Sequence, residues 1–181
     1  ARDCLQLVAV CAAAGIIVGV IALTGIGGRF AQLLLQFAGG DPLFAMFFAM
    51  VVALVLGMGM PTTAAYAIAA AVIAPGLQRM GVPPLVAHMF IFYYAVVSSI
   101  TPPVALASFA AAAIAKADPW RTAFVSVKMG LAVFIVPFMF FYSPLLLGQG
   151  TLAEVLPVLA TAVAGVLLLA CSTEGWFGRP I

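Results

Sequence analysis

The sequence predicts an all-α, polytopic membrane protein built around a re-entrant helical hairpin and a discontinuous transmembrane helix. Three observations carry this. First, 66% of the 181 residues are hydrophobic, 7% are charged, and mean hydropathy is +1.29. Soluble domains carry roughly 25% charged residues, so lipid is the solvent that suits this chain. Second, the charges (Arg2, Asp3, Arg29, Asp41, Arg79, Lys116, Asp118, Arg121, Lys128, Glu154, Glu174 and Arg179) stand at the edges of apolar runs. A charge at bilayer depth costs at least ~2.5–3.5 kcal/mol, so these positions read as loops. Third, two charge-free apolar segments, 42–74 and 85–114, have the wrong length for simple spans, and each is interrupted by helix-breaking residues.

The first span is Leu5 to Ile26, about 22 residues and ~33 Å as a helix, enough for a ~30 Å hydrocarbon core. Its Gly15 and Gly19 form a G-x-x-x-G pair suited to close helix contact inside a bundle. Gly25, Gly27 and Gly28 end it. Arg29 to Phe37 is short and amphipathic and reads as interfacial.

Segment 42–74 would run ~50 Å as one helix, well beyond the bilayer core. It is too short for two spans. Gly57-Met58-Gly59-Met60-Pro61-Thr62-Thr63 breaks it at its middle. Two arms meeting near the midplane make a re-entrant hairpin, whose non-helical tip must be buried in protein or line a cavity. Residues 75–84 read as a polar turn. Segment 85–114 is interrupted by Ser98-Ser99-Ile100-Thr101-Pro102-Pro103, where two prolines remove N–H donors and their rings clash with the preceding turn. It reads as two half-helices. Lys116 to Trp120 is a charged loop, and Arg121 to Lys128 reads as interfacial, with Trp120 at headgroup level. Spans at 129–147 and 152–171 follow, with Pro137 and Pro144 as kinks or stops.

A hairpin returns the chain to the side it left. Both termini and the 116–128 loop then share Arg2, Lys116, Arg121, Lys128 and Arg179, against Arg29 and Arg79 opposite. The positive-inside rule makes the termini cytoplasmic, with the hairpin entering from the outer face. The chain lacks an initial Met and any basic leader, and its end at Gly178-Arg179-Pro180-Ile181 reads as a cut, so it is expected to be part of a longer protein. Cys4, Cys11 and Cys171 read as buried small apolar residues, and no spacing suggests a metal cluster. The net charge of +2 with no basic patch gives no sign of nucleic-acid binding.

Broken helices at mid-membrane point to a transporter binding site. A helix end exposes carbonyls and a helix start exposes N–H groups, and neither can be left bare in lipid. Gly57, Met58, Gly59, Ser98, Ser99 and Ile100 therefore read as ion ligands, through backbone carbonyls and hydroxyls, for a hard cation such as Na⁺. Pro61, Thr62, Thr63, Thr101, Pro102 and Pro103 read as helix starts that suit a substrate carboxylate. A Thr hydroxyl caps the first start. At the second, Thr101 is the N-cap with Pro102 in the first helical position. The alternative is a pair of structural kinks. His88 reads as a packed or interfacial histidine, and Tyr66, Tyr93 and Tyr94 as aromatic packing or cavity lining.

The ordered run Gly57-Met58-Gly59-Met60-Pro61-Thr62-Thr63-Ala64-Ala65-Tyr66, Ala74-Pro75, Gly81-Val82-Pro83-Pro84 and Ser98-Ser99-Ile100-Thr101-Pro102-Pro103-Val104-Ala105-Leu106-Ala107 resembles the TRAP (tripartite ATP-independent periplasmic) transporters. The likeness is to the large DctM-type membrane subunit in its fused, TAXI-associated branch, over the second inverted repeat of an ion-transporter-superfamily fold. It implies an elevator-type permease of the bacterial inner membrane. Such a permease takes up organic acids with Na⁺, with a periplasmic TAXI-type binding protein and a small membrane subunit fused upstream as partners, and no cofactor beyond the ion. The same resemblance implies ion and substrate contacts at 57–63 and 98–103. This chain has no acidic residue near the hairpin tip, where many large subunits have one, and the first inverted repeat is missing.

Three other readings remain at this level. A Na⁺/carboxylate symporter without a binding protein has the same broken-helix plan. An intramembrane enzyme would use His88 with Ser98 or Ser99, but no acidic residue in the spans orients the histidine. A purely structural subunit is the third.

Overall fold

The computed structural model describes residues 2–175, and every regular element among them is helical. The helices are α1 (Arg2–Thr24), α2 (Ile26–Ala38), α3 (Pro42–Gly57), α4 (Thr62–Arg79), α5 (Pro84–Val97), α6 (Leu106–Ala115), α7 (Pro119–Met129), α8 (Leu131–Tyr142) and α9 (Leu152–Glu174). Short 3₁₀ turns follow α5 at Ser98–Ile100 and α8 at Pro144–Leu147. The chain divides into two compact units, Ala1–Leu106 and Ala107–Ile181.

In the first unit α4 is the hub, in contact with α1, α2, α3 and α5. Its buried face is small: Ala64, Ala65, Ala69, Ala74 and Gly76, with Ile68, Val72, Ile73 and Leu77 between them. Small residues let helix backbones approach where lipid offers no hydrophobic drive. α3 answers with Ala45, Met46, Ala49, Ala53 and Gly57 along one stripe. Asp41 starts α3 by accepting from Leu43 N at 2.8 Å, with Pro42 in the first turn. α5 contributes Phe90 and Tyr94, whose rings lie 4.8 Å apart.

α1 turns into α2 by 69° at Gly25, which adopts φ +67. A β-carbon on Gly27 would lie 2.7 Å from the Ala71 carbonyl oxygen. The reason sits one turn further along α4. Pro75 has no N–H, so Ala71 loses its helical donor, and only a glycine backbone can come close to the freed carbonyl. Gly15 and Gly19 behave differently. Both are exposed, and no described atom lies within 4 Å of where their side chains would be. Within the first unit the close backbone approach is at Gly27.

The hairpin's second arm does not stop at residue 74. α4 runs through Pro75 to Arg79, because one missing hydrogen bond in a well-packed helix is tolerated when tertiary contacts hold both sides. Residues 75–79 are thus helix rather than turn.

In the second unit Asp118 accepts from Arg121 N at 2.7 Å with Pro119 next, so α7 begins ten residues before Met129. Pro119–Tyr142 forms one apolar stretch of 24 residues, and the helix ends at Tyr142 rather than Leu147 because Pro144 opens a 3₁₀ turn. Trp120 meets Phe109 edge-on at 5.9 Å. α9 starts in a capping box, Thr151 with Glu154. Pro119–Tyr142 and Leu152–Thr173 are each long and apolar enough to cross a membrane, and the bent pair Gly15–Thr24 and Ile26–Ala38 makes a third if counted as one span. α3, α5 with its 3₁₀ turn, and α6 are apolar but shorter than a span. Cys171 is a free, half-buried thiol. The side chains of Cys4 and Cys11, and residues 176–181, lie outside those described.

Candidate functional site

The first helix interruption is narrow. α3 ends at Gly57 and α4 starts at Thr62. Between them Met58 N donates to Val55 O at 3.3 Å and Met60 N to Gly57 O at 3.4 Å. Gly59 holds φ +76, a left-handed value that costs glycine nothing. Pro61 is the N-cap of α4 and contributes no side-chain bond, so neither Thr62 nor Thr63 caps that helix. Both threonines are already inside the first turn and exposed, past the position from which a hydroxyl reaches the free N–H groups.

The second interruption is wider than its sequence signal. α5 ends at Val97, Ser98–Ile100 tightens to 3₁₀, and α6 restarts at Leu106. Thr101 is extended, at φ −94 and ψ 125, and Ala105 N donates to Thr101 O at 3.1 Å to close the loop. The Pro102–Pro103 peptide is cis. Thr101 and Pro102 do not start a helix, since α6 begins at Leu106. Each precedes a proline, and a residue in that place is pushed out of the α region.

The hydroxyls at this break follow one pattern. Ser98 Oγ donates to Ala95 O at 2.7 Å, Ser99 Oγ to Val96 O at 2.7 Å, and Thr101 Oγ1 to Val97 O at 2.8 Å. Three successive carbonyls at the end of α5 are satisfied from downstream. A hydroxyl has one proton and two lone pairs, so these three oxygens have only lone pairs left to offer. Thr101 belongs to this ladder with Ser98 and Ser99, not to a helix cap.

The two interruptions meet. A β-carbon on Gly57 would sit 2.8 Å from Ser98 Cβ and collide with Ser98 Oγ, so the serine occupies the place a side chain would take. Ser98 is 2% exposed. Further along both loops, Gly59 faces Val104 Cγ1, 3.5 Å from where its β-carbon would be. Gly57 and Gly59 thus contact the second break, while Pro61, Thr62, Thr63 and Pro103 are exposed, and Met58, Ile100 and Pro102 half-buried. Val104 and the carbonyls of Ala95–Val97 were not singled out by the sequence. The Ser and Thr spacing of three and four residues was the available signal for those carbonyls. Val104 stood in the second motif run, with no role assigned to it.

A supporting contact lies one turn into α4. Tyr66 Oη and His88 Nδ1 are 3.0 Å apart, joining α4 to α5, and Phe92 meets the tyrosine ring edge-on at 5.8 Å.

Residues 1–155 match the family model described as tripartite ATP-independent periplasmic transporter, DctM component. The chain belongs to that family. The DctM component is a transporter permease and an integral membrane protein. Neither the curated proteins nor the solved structures give a significant match. Both interruptions of this DctM chain fall inside the matched residues.

Proposed function

We propose that this DctM chain is the ion- and substrate-binding part of a secondary active transporter that couples Na⁺ entry to uptake of organic acids. One observation supports it above others. The C-terminal end of α3 at Gly57 abuts the C-terminal end of α5 at Ser98. Each helix end carries about −0.5 elementary charge, and at membrane depth these partial charges repel with little screening. A cation between them converts repulsion into attraction, and the hydroxyl oxygens of Ser98, Ser99 and Thr101 present lone pairs to it. Gly57, Met58, Gly59 and Ile100 supply carbonyls of the same character. Among the described residues no cluster of three His, Cys, Asp or Glu exists, so neutral oxygen ligands fit this cation better than a transition-metal set.

The substrate takes the opposite ends. The loops leading into α4 and α6 touch at Gly59 and Val104, and each leads to a helix start whose N–H groups suit a carboxylate. Pro61, Thr62, Thr63, Thr101, Pro102 and Pro103 border these starts. A periplasmic binding protein of TAXI type delivers the acid, a small membrane subunit fused upstream completes the scaffold, and transport follows an elevator movement in the bacterial inner membrane.

The test is uptake by the full-length transporter in liposomes with its binding protein, under an imposed Na⁺ or H⁺ gradient. Uptake driven by Na⁺ and dependent on the binding protein is the expected result. Uptake driven by H⁺ alone overturns the ion assignment. Uptake without the binding protein favours a free-standing symporter.

A further inference from the structure

α2 has three faces. Gly27, Ala31 and Ala38 are buried toward the rest of the first unit. Arg29, Gln32 and Gln36 form an exposed polar stripe. Between them, Phe30, Leu33 and Phe37 flank a furrow completed by Phe48 and Val52 of α3, with Phe37 and Phe48 rings 6.0 Å apart. The furrow holds about 210 Å³, and among the described residues no polar group lines it. Water has no partner there, so such a space is filled by something apolar or stays empty.

Its size and surroundings narrow the occupant. At ~30 Å³ for a water-sized group it takes roughly seven methylenes, part of one acyl chain. The turn at Gly25 sets α2 at 69° to α1, so with α1 crossing the bilayer α2 lies near the membrane plane, its polar stripe toward headgroups and its furrow toward hydrocarbon. Arg29 stands in the first turn of α2 and makes no ion pair among the described residues. The positive end of the α2 dipole lies at the same place. The only nearby carboxylate in sequence, Asp41, is at the far end and is engaged with Leu43 N.

We propose that this furrow binds an anionic glycerophospholipid. Its phosphate pairs with the Arg29 guanidinium, Gln32 and Gln36 bond its glycerol and ester oxygens, and one acyl chain lies against Phe30, Leu33, Phe37, Phe48 and Val52. The site is separate from the ion and substrate site, and its test does not depend on transport.

The experiment uses the full-length transporter in phosphatidylcholine nanodiscs carrying a small fraction of phosphatidylglycerol with a diazirine on its acyl chain, or the same label on phosphatidylcholine. After illumination, labelled peptides are mapped by mass spectrometry. Phosphatidylglycerol should label the peptides holding Phe37, Phe48 and Val52 more than phosphatidylcholine does. Arg29→Gln should lower that labelling about five-fold, as one surface arginine warrants, and high salt should do the same. Val52→Trp should exclude the chain while leaving Arg29 in place. Equal labelling by the two lipids, no labelling, or an Arg29→Gln variant that labels like the parent overturns the proposal. So does a protein–protein crosslink from a photoreactive residue at position 37, which would mean that polypeptide covers the furrow.

Discussion

Gly57 and Ser98 form the tightest junction at the site, and the chemistry of each follows from the other. The serine hydroxyl is turned toward Ala95 O, and the glycine leaves room for it. Gly57→Ala forces a methyl into that space and is expected to destabilise by about 1–3 kcal/mol, as overpacking does. Thermal melting of the purified transporter checks this. Ser98→Gly in the same chain should restore most of the loss, because the contact is direct. Ser98→Ala keeps the packing and removes a lone-pair donor, so the half-saturating Na⁺ concentration in uptake should rise several-fold with little change in melting. A parallel case is Gly27→Ala, whose β-carbon meets the Ala71 carbonyl 2.7 Å away, with backbone on both sides and no room to adjust. A loss of about 1–3 kcal/mol is expected there too, by the same measurement. The sequence made part of this legible. Ser and Thr at three- and four-residue spacing from a helix end announce hydroxyls turned back on carbonyls. It could not reveal that Gly57 serves close approach rather than turning, since that depends on Ser98, 41 positions away in the chain. The left-handed turn falls to Gly59.

Helix starts that carry an Asp-Pro pair have a plain physical cause. Asp41-Pro42 and Asp118-Pro119 each combine a capping carboxylate with a proline in the first turn, and the helices begin there. The reading that began a span at Met129 gave weight to Arg121 and Lys128, but the Asp118 cap governs where the helix itself starts. Prolines were harder to read. Pro75 lies inside a helix and Pro102 outside one. The difference is that Pro75 stands alone, with Gly27 against the carbonyl it frees, whereas Pro102 is followed by a second proline. At the start of α9, Thr151→Ala removes half of a capping box and is expected to cost about 1 kcal/mol locally. Faster amide exchange over the first turn of α9, with the rest of the helix unchanged, is the measurement.

For the molecule as a whole, the all-helical, lipid-adapted character was written in composition and charge placement, and the family in two short ordered motifs. Their meeting point was not, because residues 57 and 98 come together only through the packing of α3 on α5. That interlock has a mechanical consequence. Separating α3 from α5 would open a side-chain-sized gap beside a serine that has nothing else to fill it. The hairpin and α5 should then travel as a single block. Spin labels at exposed Val51 and Val96 should keep the same separation in double electron–electron resonance whether or not Na⁺ and substrate are present. A change of several ångströms between those conditions would mean that the two helices part during turnover, and that the glycine acts as a hinge.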